Sequence, residues 1–430
     1  MNSKINFIKE LEWRGMLQDI MPGTEELLNK ETVTAYIGFD PTSDSLHVGS
    51  LAQIMLLKHL QKAGHQPIAL VGGATGMIGD PSGKMEERKL LSEEDINRNI
   101  LGIQSQLEKF LDFDAKENSA GIVNNHDWFK NIMTIHFLRD VGKYLTVSYL
   151  LNKGFVKDRL AQEKDLSFTE FNYILMQAYD FLWLFENKHC KLQMGGSDQW
   201  GNITAGVELI RKKIKGEAFG LTIKLITKSD GTKFGKTESG NVWLDRKKTS
   251  PYKFYQFWLN ASDEDAKNYM RIFTMLNQED IESIEAAHAK APHERLLQKT
   301  LAKDITERVH SVEDFQSATE ASEILFGNST TDALRKLDEE TLLSVFEGVP
   351  QLKIGKDQLS NMNIVELLSG TAKIFSSKRE AREMIKAGGT SINKLKITDV
   401  NHLISTDILL NGKYVLVQKG KKNYYLLIAE

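Results

Sequence analysis

The sequence has a single cysteine, Cys190, in 430 residues. An intramolecular disulfide is excluded, and a chain of this size without one fits a reducing compartment. No run approaches the roughly 18 consecutive apolar residues that a membrane-spanning helix needs. The opening Met1-Asn2-Ser3-Lys4-Ile5-Asn6 lacks an apolar stretch of signal-peptide length. We therefore expect a soluble, cytoplasmic protein that touches no membrane. Charge of one sign is not in excess either: the formal net charge is −3, so the chain as a whole is drawn neither to nucleic acid nor to an anionic surface. Internal repeats and low-complexity tracts are absent. The hydrophobic share of 41% and charged share of 26% exclude a disordered or fibrous chain. At roughly 150 residues per domain, about three domains are expected.

Several familiar signatures also fail. Gly79-Asp80-Pro81-Ser82-Gly83-Lys84 has three residues between its glycines where a phosphate loop has four. Met85 stands where such a loop needs a Mg²⁺-binding hydroxyl. Val71-Gly72-Gly73-Ala74-Thr75-Gly76 misses the glycine spacing of a dinucleotide site. No His, Cys and carboxylate grouping has zinc spacing, so no metal site is expected, and Cys190 reads as a small buried hydrophobe.

What is present is a pattern of elements and an uneven charge. Residues 5–20 have helical periodicity through Ile5, Ile8, Leu11, Trp13 and Leu17. A β-branched and aromatic strand, 33–39, stops at Asp40-Pro41-Thr42; a helix follows from about His47 to Gly64, then the short apolar run 67–71. Strand, helix and strand within 40 residues form a βαβ unit, which demands a parallel sheet. Helices are expected over much of 92–111, 133–150 and 168–186, a strand over 221–226, and helices almost alone from 252 to 345. A capping box at Ser377-Lys378-Arg379-Glu380 opens a helix that stops at Gly388-Gly389, and two strands, 413–418 and 423–428, close the chain. Residues 361–430 hold eleven Lys and Arg against six Asp and Glu, a net of +5 that leaves −8 on the first 360. A basic tail on an acidic body points to a partner with phosphates. The fold class expected is α/β: a Rossmann-like parallel-sheet domain over 1–245, an all-α domain over 246–355 and a small basic α+β domain over 356–430.

Two motifs carry chemistry. In Pro41-Thr42-Ser43-Asp44-Ser45-Leu46-His47-Val48-Gly49-Ser50, His47 and Ser50 are three apart at a helix start and share a face. Gly49 between them leaves room at the backbone, and a helix N-terminus suits phosphate. Taken alone, the string is equally a capped helix start with an incidental histidine. In Asp230-Gly231-Thr232-Lys233-Phe234-Gly235-Lys236-Thr237, two lysines three apart are spaced by glycine. They can bring mobile point charges to a polyphosphate, although a Lys/Gly-rich surface loop is commonplace. A third pattern lies on the 168–186 helix, where Tyr173, Gln177 and Asp180 form a polar stripe on an apolar segment. A fourth is the row Lys378, Arg382 and Lys386, which recurs every four residues in the basic tail.

Together these strings resemble the His-x-Gly-His and Lys-Met-Ser-Lys-Ser signatures of class I aminoacyl-tRNA synthetases, and specifically the bacterial-type tyrosyl-tRNA synthetases. The likeness runs over nearly the whole chain. It is carried by Tyr36 to Thr42, Gly72 to Lys84, Phe168 to Tyr173, Gln177 to Asp180, Gly195 to Asn202 and Lys233 to Thr237. One position departs: Ser50 replaces the second histidine, so it can hydrogen-bond a ribose or phosphate but cannot carry charge there.

The resemblance implies activation of L-tyrosine by ATP, which enters as a substrate with Mg²⁺, and then transfer to tRNA(Tyr); no tightly bound cofactor is implied. It makes Thr42, His47, Lys84, Arg88, Lys233, Lys236 and Thr237 the groups that stabilise charge on the phosphates. Tyrosine is then held by Tyr36, Gly38, Asp80, Tyr173, Gln177, Asp180 and Gln199, with Tyr36 and Asp180 on the phenol. ATP is held by Asp40, His47, Gly49, Ser50, Gly196, Asp198 and Lys236. RNA is met by Lys378, Arg379, Arg382, Lys386, Lys419, Lys421 and Lys422, as positioning contacts to phosphate. It also implies a homodimer through an insertion in the first domain, a helical tRNA-contacting domain, and no DNA partner. Three rivals fit less well. A tryptophanyl enzyme has no use for the Tyr36/Asp180 pair, a small nucleotidyltransferase lacks the helical segment and basic tail, and a non-catalytic RNA-binding paralogue would show more degraded site residues than Ser50 alone.

Overall fold

The structure, a computed structural model, describes residues 5–82, 91–232, 234–237, 240–326, 334–347, 349–359, 362–420 and 423–430. The chain forms two compact units, Met1–Lys248 with Trp258–Val309, and Thr249–Phe257 with His310–Glu430.

The first unit is built on a six-stranded sheet. Its strands are β1 (Leu17–Ile20), β2 (Thr34–Phe39), β3 (Gln66–Val71), β4 (Gly121–Asn124), β5 (Cys190–Gly196) and β6 (Phe219–Ile223), in the spatial order β1-β6-β5-β2-β3-β4. The five strands from β6 to β4 are parallel, and β1 closes the edge antiparallel to β6. The central strands are apolar on both faces because helices cover both. Val48–Lys62 runs from β2 to β3 and buries Leu51, Ile54, Met55, Leu56, Leu57 and Leu60. Phe168–Lys188 and Trp200–Ile214 bury Ile174, Phe181, Leu182, Leu209 and Ile210 in one core with Tyr36, Ile68 and Leu70. A complete capping box starts the longer of these two: Ser167 accepts from Glu170 N, and the Glu170 carboxylate returns to Ser167 N.

One expectation along the chain is corrected. The first helix is Phe7–Trp13 and does not run to residue 20. Gly15 takes φ +70, which no helix contains, and Leu17–Ile20 fills the open edge of β6 as a strand. The stretch 133–150 is helical over most of its length, as expected, in three pieces: Thr134–Asp140, a single 3₁₀ turn Gly142–Tyr144, and Val147–Leu150. After the sheet, β7 (Lys236–Thr237) and β8 (Gly240–Asn241) form a short hairpin, and the helices Asp263–Phe273, Gln278–Lys290 and Leu296–Val309 complete the unit.

The second unit has the helices Val312–Phe326 and Glu339–Val345, then a five-stranded sheet. Its strands are β9 (Gln351–Ile354), β11 (Thr390–Ile392), β12 (Leu395–Ile397), β14 (Tyr414–Lys419) and β15 (Asn423–Ala429); β10 (Met362–Asn363) and β13 (Leu403–Ile404) pair separately. The sheet packs its apolar face, including Ile392, Val415, Val417 and Leu427, against Ile364, Leu367, Leu368, Phe375, Ala381 and Ile385. Ala381 and Ile385 lie on the helix Lys378–Lys386, capped by Ser377 and ended by Gly388 at φ +66. Glu380 reaches back to Ser376 N rather than to the cap itself, so the box is displaced by one residue. Among the described residues no helix is long and apolar enough to cross a membrane.

Candidate active site

A cavity of about 730 Å³ opens beyond the carboxyl ends of β2 and β5, the place where open parallel sheets bind ligands. Its deep wall comes from sheet register: Tyr36 on β2 lies opposite Gln193 on β5 and Ile68 on β3. Tyr36 is buried against Phe181, ring centroids 5.5 Å apart, and its hydroxyl has no hydrogen-bond partner among the described residues. Burial, then the nearby Asp180 charge, holds this phenol well above its ordinary pKa. The Gln193 side-chain oxygen is also buried without a partner. Asp180 accepts from Trp128 Nε1 at 2.8 Å and Asn125 Nδ2 at 3.1 Å. Burial outweighs those two donors and pushes its carboxyl up to about 8.

Nearer the mouth, Asp40 is a hub. It accepts from Thr75 Oγ1 at 2.8 Å, Tyr173 Oη at 2.9 Å and Asp80 N at 3.1 Å. Gly72 is required there, since a Cβ would lie 2.2 Å from Asp40 Oδ1. Asp80 accepts from Gln199 Nε2 at 2.7 Å, Gln199 Oε1 accepts from Gln177 Nε2 at 3.2 Å, and Gln177 Oε1 accepts from Asn202 Nδ2 at 2.8 Å. Burial, then Asp40, raises the Tyr173 phenol well above its usual range and keeps it a donor. Asp198 is raised by burial and then by Asp80, and its Oδ1 has no hydrogen-bond partner among the described residues.

The helix start at His47 is where the two sequence motifs meet. His47 caps the helix Val48–Lys62: its Nδ1 accepts from Gly49 N at 3.0 Å, and its ring stands edge-on to Trp243. A Cβ on Gly49 would lie 2.7 Å from His47 Cε1, so this glycine makes room for the histidine ring. Gly235 at φ +79 abuts the same helix, where a Cβ would lie 2.8 Å from Val48 Cγ2. Val242 N donates to Gly235 O at 3.0 Å and Val48 N to Val242 O at 2.9 Å, stitching loop to helix start.

Comparison with known proteins decides the family. Residues 28–327 match the family described as tRNA synthetases class I (W and Y), and residues 341–427 match the tyrosine–tRNA ligase SYY-like C-terminal domain. The chain is 60% identical over 430 residues to the tyrosine–tRNA ligase of Bacteroides thetaiotaomicron, covering 99% of this chain and 100% of that one. It is 61% identical over 425 residues to that of Cytophaga hutchinsonii, covering 98% and 99%. The chain belongs to the class I tyrosyl-tRNA synthetases. Among solved structures, a C-terminally truncated mitochondrial tyrosyl-tRNA synthetase from Aspergillus nidulans superposes with a TM-score of 0.68 at 28% identity, covering 76% of this chain and 95% of that one. The parallel-sheet unit, the helical stretch and the small α+β sheet are this family's α/β architecture.

Of the residues expected to form the synthetase site, Tyr36, Gly38, Asp40, Thr42, His47, Ser50, Asp80, Tyr173, Gln177, Asp180, Asp198 and Gln199 all line the one cavity. Gly49 and Gly196 are not among its lining residues. Lys236 is exposed in β7 and does not line it. Lys84, Arg88 and Lys233 lie outside the described residues, as does the Thr237 side chain. Sequence reasoning missed Asn125 and Trp128, which orient Asp180, along with Gln193 and Trp243. Only the cluster Asn124-Asn125-His126-Asp127-Trp128 at the end of β4 offered a signal, as polar groups following a buried strand.

In the second unit, Lys378 pairs with Glu366 at 2.5 Å and Arg379 with Glu383 at 2.9 Å. Lys419 pairs with Glu380 at 2.9 Å and donates to Ile374 O. Arg382 and Lys386 are exposed and make no ion pair among the described residues. Lys421 and Lys422 lie outside the described residues. No group of three or more His, Cys, Asp or Glu among the described residues is arranged to hold a metal ion.

Proposed function

We propose that the chain joins the carboxylate of L-tyrosine to the α-phosphate of ATP, releases pyrophosphate, and passes the tyrosyl group to the 3′ end of tRNA(Tyr). The observation that carries the amino-acid choice is the deep wall of the cavity. There a buried phenol without a partner, Tyr36, lies within the field of a buried carboxyl, Asp180, that two N–H groups orient. A substrate hydroxyl satisfies both; phenylalanine leaves both unmet, and selection between the two is this family's usual illustration of that rule. Asp80, Gln177 and Tyr173 supply oxygens for the ammonium group, and Gln199 is the donor nearest the carboxylate.

The reaction itself needs little proton transfer. An amino-acid carboxylate, with a pKa near 3.5, is already an anion at pH 7. Its oxygen attacks the α-phosphorus as the bond to the bridging oxygen breaks and pyrophosphate leaves with the electron pair. Catalysis is then positioning plus stabilisation of phosphate charge. Thr42, His47 and Lys236 take that role, with Lys84, Arg88, Lys233 and Thr237 assigned to it on their place in the motifs. Mg²⁺ arrives on the ATP as part of the substrate. Asp40, Gly49, Ser50 and Gly196 shape the ATP side, and the unpartnered Asp198 Oδ1 suits a ribose hydroxyl. In the second unit, Lys378, Arg379, Arg382, Lys386, Lys419, Lys421 and Lys422 are assigned to tRNA phosphates. The enzyme is assigned to the cytoplasm, where tRNA is charged.

A homodimer is proposed on a run of exposed apolar side chains. Met133 is 66% exposed, Ile135 70%, Leu138 45%, Val147 62%, Leu160 49% and Phe168 77%, all within one stretch of the first unit. Light scattering is expected to give twice the chain mass, falling toward one chain for Ile135→Asp; a wild-type monomer removes the dimer. The deciding experiment for function is ATP–pyrophosphate exchange without tRNA, run separately with tyrosine, tryptophan and phenylalanine. Exchange with tyrosine alone is expected. Exchange with tryptophan overturns the Tyr36/Asp180 reading, and none with any of the three overturns the activity.

A further inference from the structure

The lysine loop holds one apolar side chain, and that side chain is buried. Phe234 is 8% exposed, while Asp230, Gly231, Thr232 and Lys236 around it face solvent. It enters a cluster of three rings: Tyr269 at 4.9 Å between centroids, Phe273 at 5.3 Å and nearly coplanar at 19°, and Trp258 at 5.8 Å. Tyr269 and Phe273 are four residues apart on the helix Asp263–Phe273. Asp265 lies one turn before Tyr269 on the same stripe. Its Oδ1 accepts from Ser229 N at 2.8 Å, upstream of the loop tip. One helix face therefore grips the loop at both 229 and 234, and between them Gly231 N donates to Lys228 O and Thr232 N to Asp230 Oδ1.

That helix is itself tied to the helix His47 caps. Arg14, fully buried, donates to the carbonyls of Arg271, Thr274 and Leu276 at 2.5, 3.1 and 2.6 Å. Arg308 donates to Phe273 O at 2.9 Å, and Lys62, the last residue of Val48–Lys62, donates to Met275 O at 3.1 Å. At the other end, Gly235 rests on Val48. Phe234 is thus the point where the loop meets a platform bolted to the phosphate-side helix.

We infer that Phe234 is a positioning residue: its insertion among Trp258, Tyr269 and Phe273, with Asp265 holding Ser229, sets where Lys236 stands relative to the helix start at His47. The inference rests on the tyrosine-activation reading and adds to it the element that aims the loop. Phe234 does not line the cavity; it acts through the lysine two residues on. A side chain that only filled core volume would behave differently, because its loss would lower stability and every kinetic constant together.

The test pairs steady-state exchange with limited trypsin digestion of the full chain, followed at the bond after Lys236 by mass spectrometry. Phe234→Ala is expected to lower kcat of ATP–pyrophosphate exchange by roughly tenfold to a hundredfold, the scale of misplaced reacting groups. KM for tyrosine stays within about twofold, since the tyrosine wall is untouched. Cleavage after Lys236 accelerates by about tenfold as the loop leaves its platform. Phe234→Leu, which refills most of the ring cluster, restores most of kcat and the slow cleavage. Wild-type kcat or unchanged cleavage in Phe234→Ala overturns the inference. So does a parallel loss of kcat and tyrosine affinity that Phe234→Leu fails to rescue. If the wild type itself gives no exchange with tyrosine, the activation reading falls, and the cleavage rates alone decide whether Phe234 holds the loop.

Discussion

Two buried titratable side chains show how burial raises a carboxyl and depresses an imidazole. At Asp180, burial raises the carboxyl to about 8 while Trp128 and Asn125 each donate to one of its oxygens. Asp180→Asn keeps the volume but turns an amide nitrogen toward one of those donors. We expect a large fall in kcat/KM for tyrosine and a collapse of discrimination against phenylalanine, with KM for ATP little changed. Exchange kinetics with both amino acids check this, and preserved selectivity refutes it. At His59, on the helix Val48–Lys62, both ring nitrogens are buried without partners among the described residues. Burial, followed by the charges of Arg14, Lys62, Arg308 and Lys58, holds it well below its ordinary pKa. A depressed pKa means that the unfolded chain takes the proton first. Stability is complete above the unfolded value near 6.5 and falls as pH drops below it, by up to about 1.4 kcal/mol per pH unit. His59→Leu removes that proton, so its Tm is expected to decline less than the wild type's between pH 7 and pH 5. Parallel melting curves over that range would show that His59 is not the responsible group.

At the scale of elements, the helix Phe168–Lys188 matters most, since it carries Tyr173, Gln177 and Asp180. Its start is held by the Ser167/Glu170 box and by a buried ion pair from Arg159 to Glu170 at 2.6 Å, both side chains 4% exposed. Glu170→Ala strands the Arg159 charge and is expected to cost about 3 kcal/mol. Urea unfolding reads that loss, and tyrosine KM should rise with it because the polar stripe loses its fixed origin. This helix was legible in the sequence, as was the first βαβ unit. Apolar runs buried on both faces and apolar residues recurring at helical spacing are local signals with one physical meaning. The first helix was drawn too long because Leu17 satisfies a helical period and a strand period equally; Gly15 and the open edge of β6 decide between them. Most of the cavity lining was legible through family strings. Gln193 was not, because only the register of β5 against β2 sets it opposite Tyr36. Trp243 was not, because it enters through a bridge to His47 from nearly two hundred residues away in sequence.

For the whole molecule, the distribution of charge carries the functional division. The first 360 residues hold a net −8 and the last seventy a net +5, so any attraction to RNA phosphate is expected of the last seventy residues and not of the chain as a whole. Of the five described cations assigned to RNA, three already have acidic partners: Lys378, Arg379 and Lys419 each sit on a glutamate. A paired cation must break its ion pair to meet a phosphate, so its net gain is small. Among the described cations assigned to RNA, Arg382 and Lys386 are exposed one turn apart and without an ion pair, so their counterions are free to be exchanged. Each phosphate contact contributes roughly 0.7 to 0.9 to the slope of log affinity against log salt. The double variant Arg382→Ala/Lys386→Ala is therefore expected to reduce that slope for tRNA(Tyr) by about 1.5. Exchange measured without tRNA should be unchanged, since neither residue belongs to the unit that holds the cavity. A slope equal to the wild type's, with affinity unaltered from low to high salt, would mean that tRNA meets some other face of the second unit.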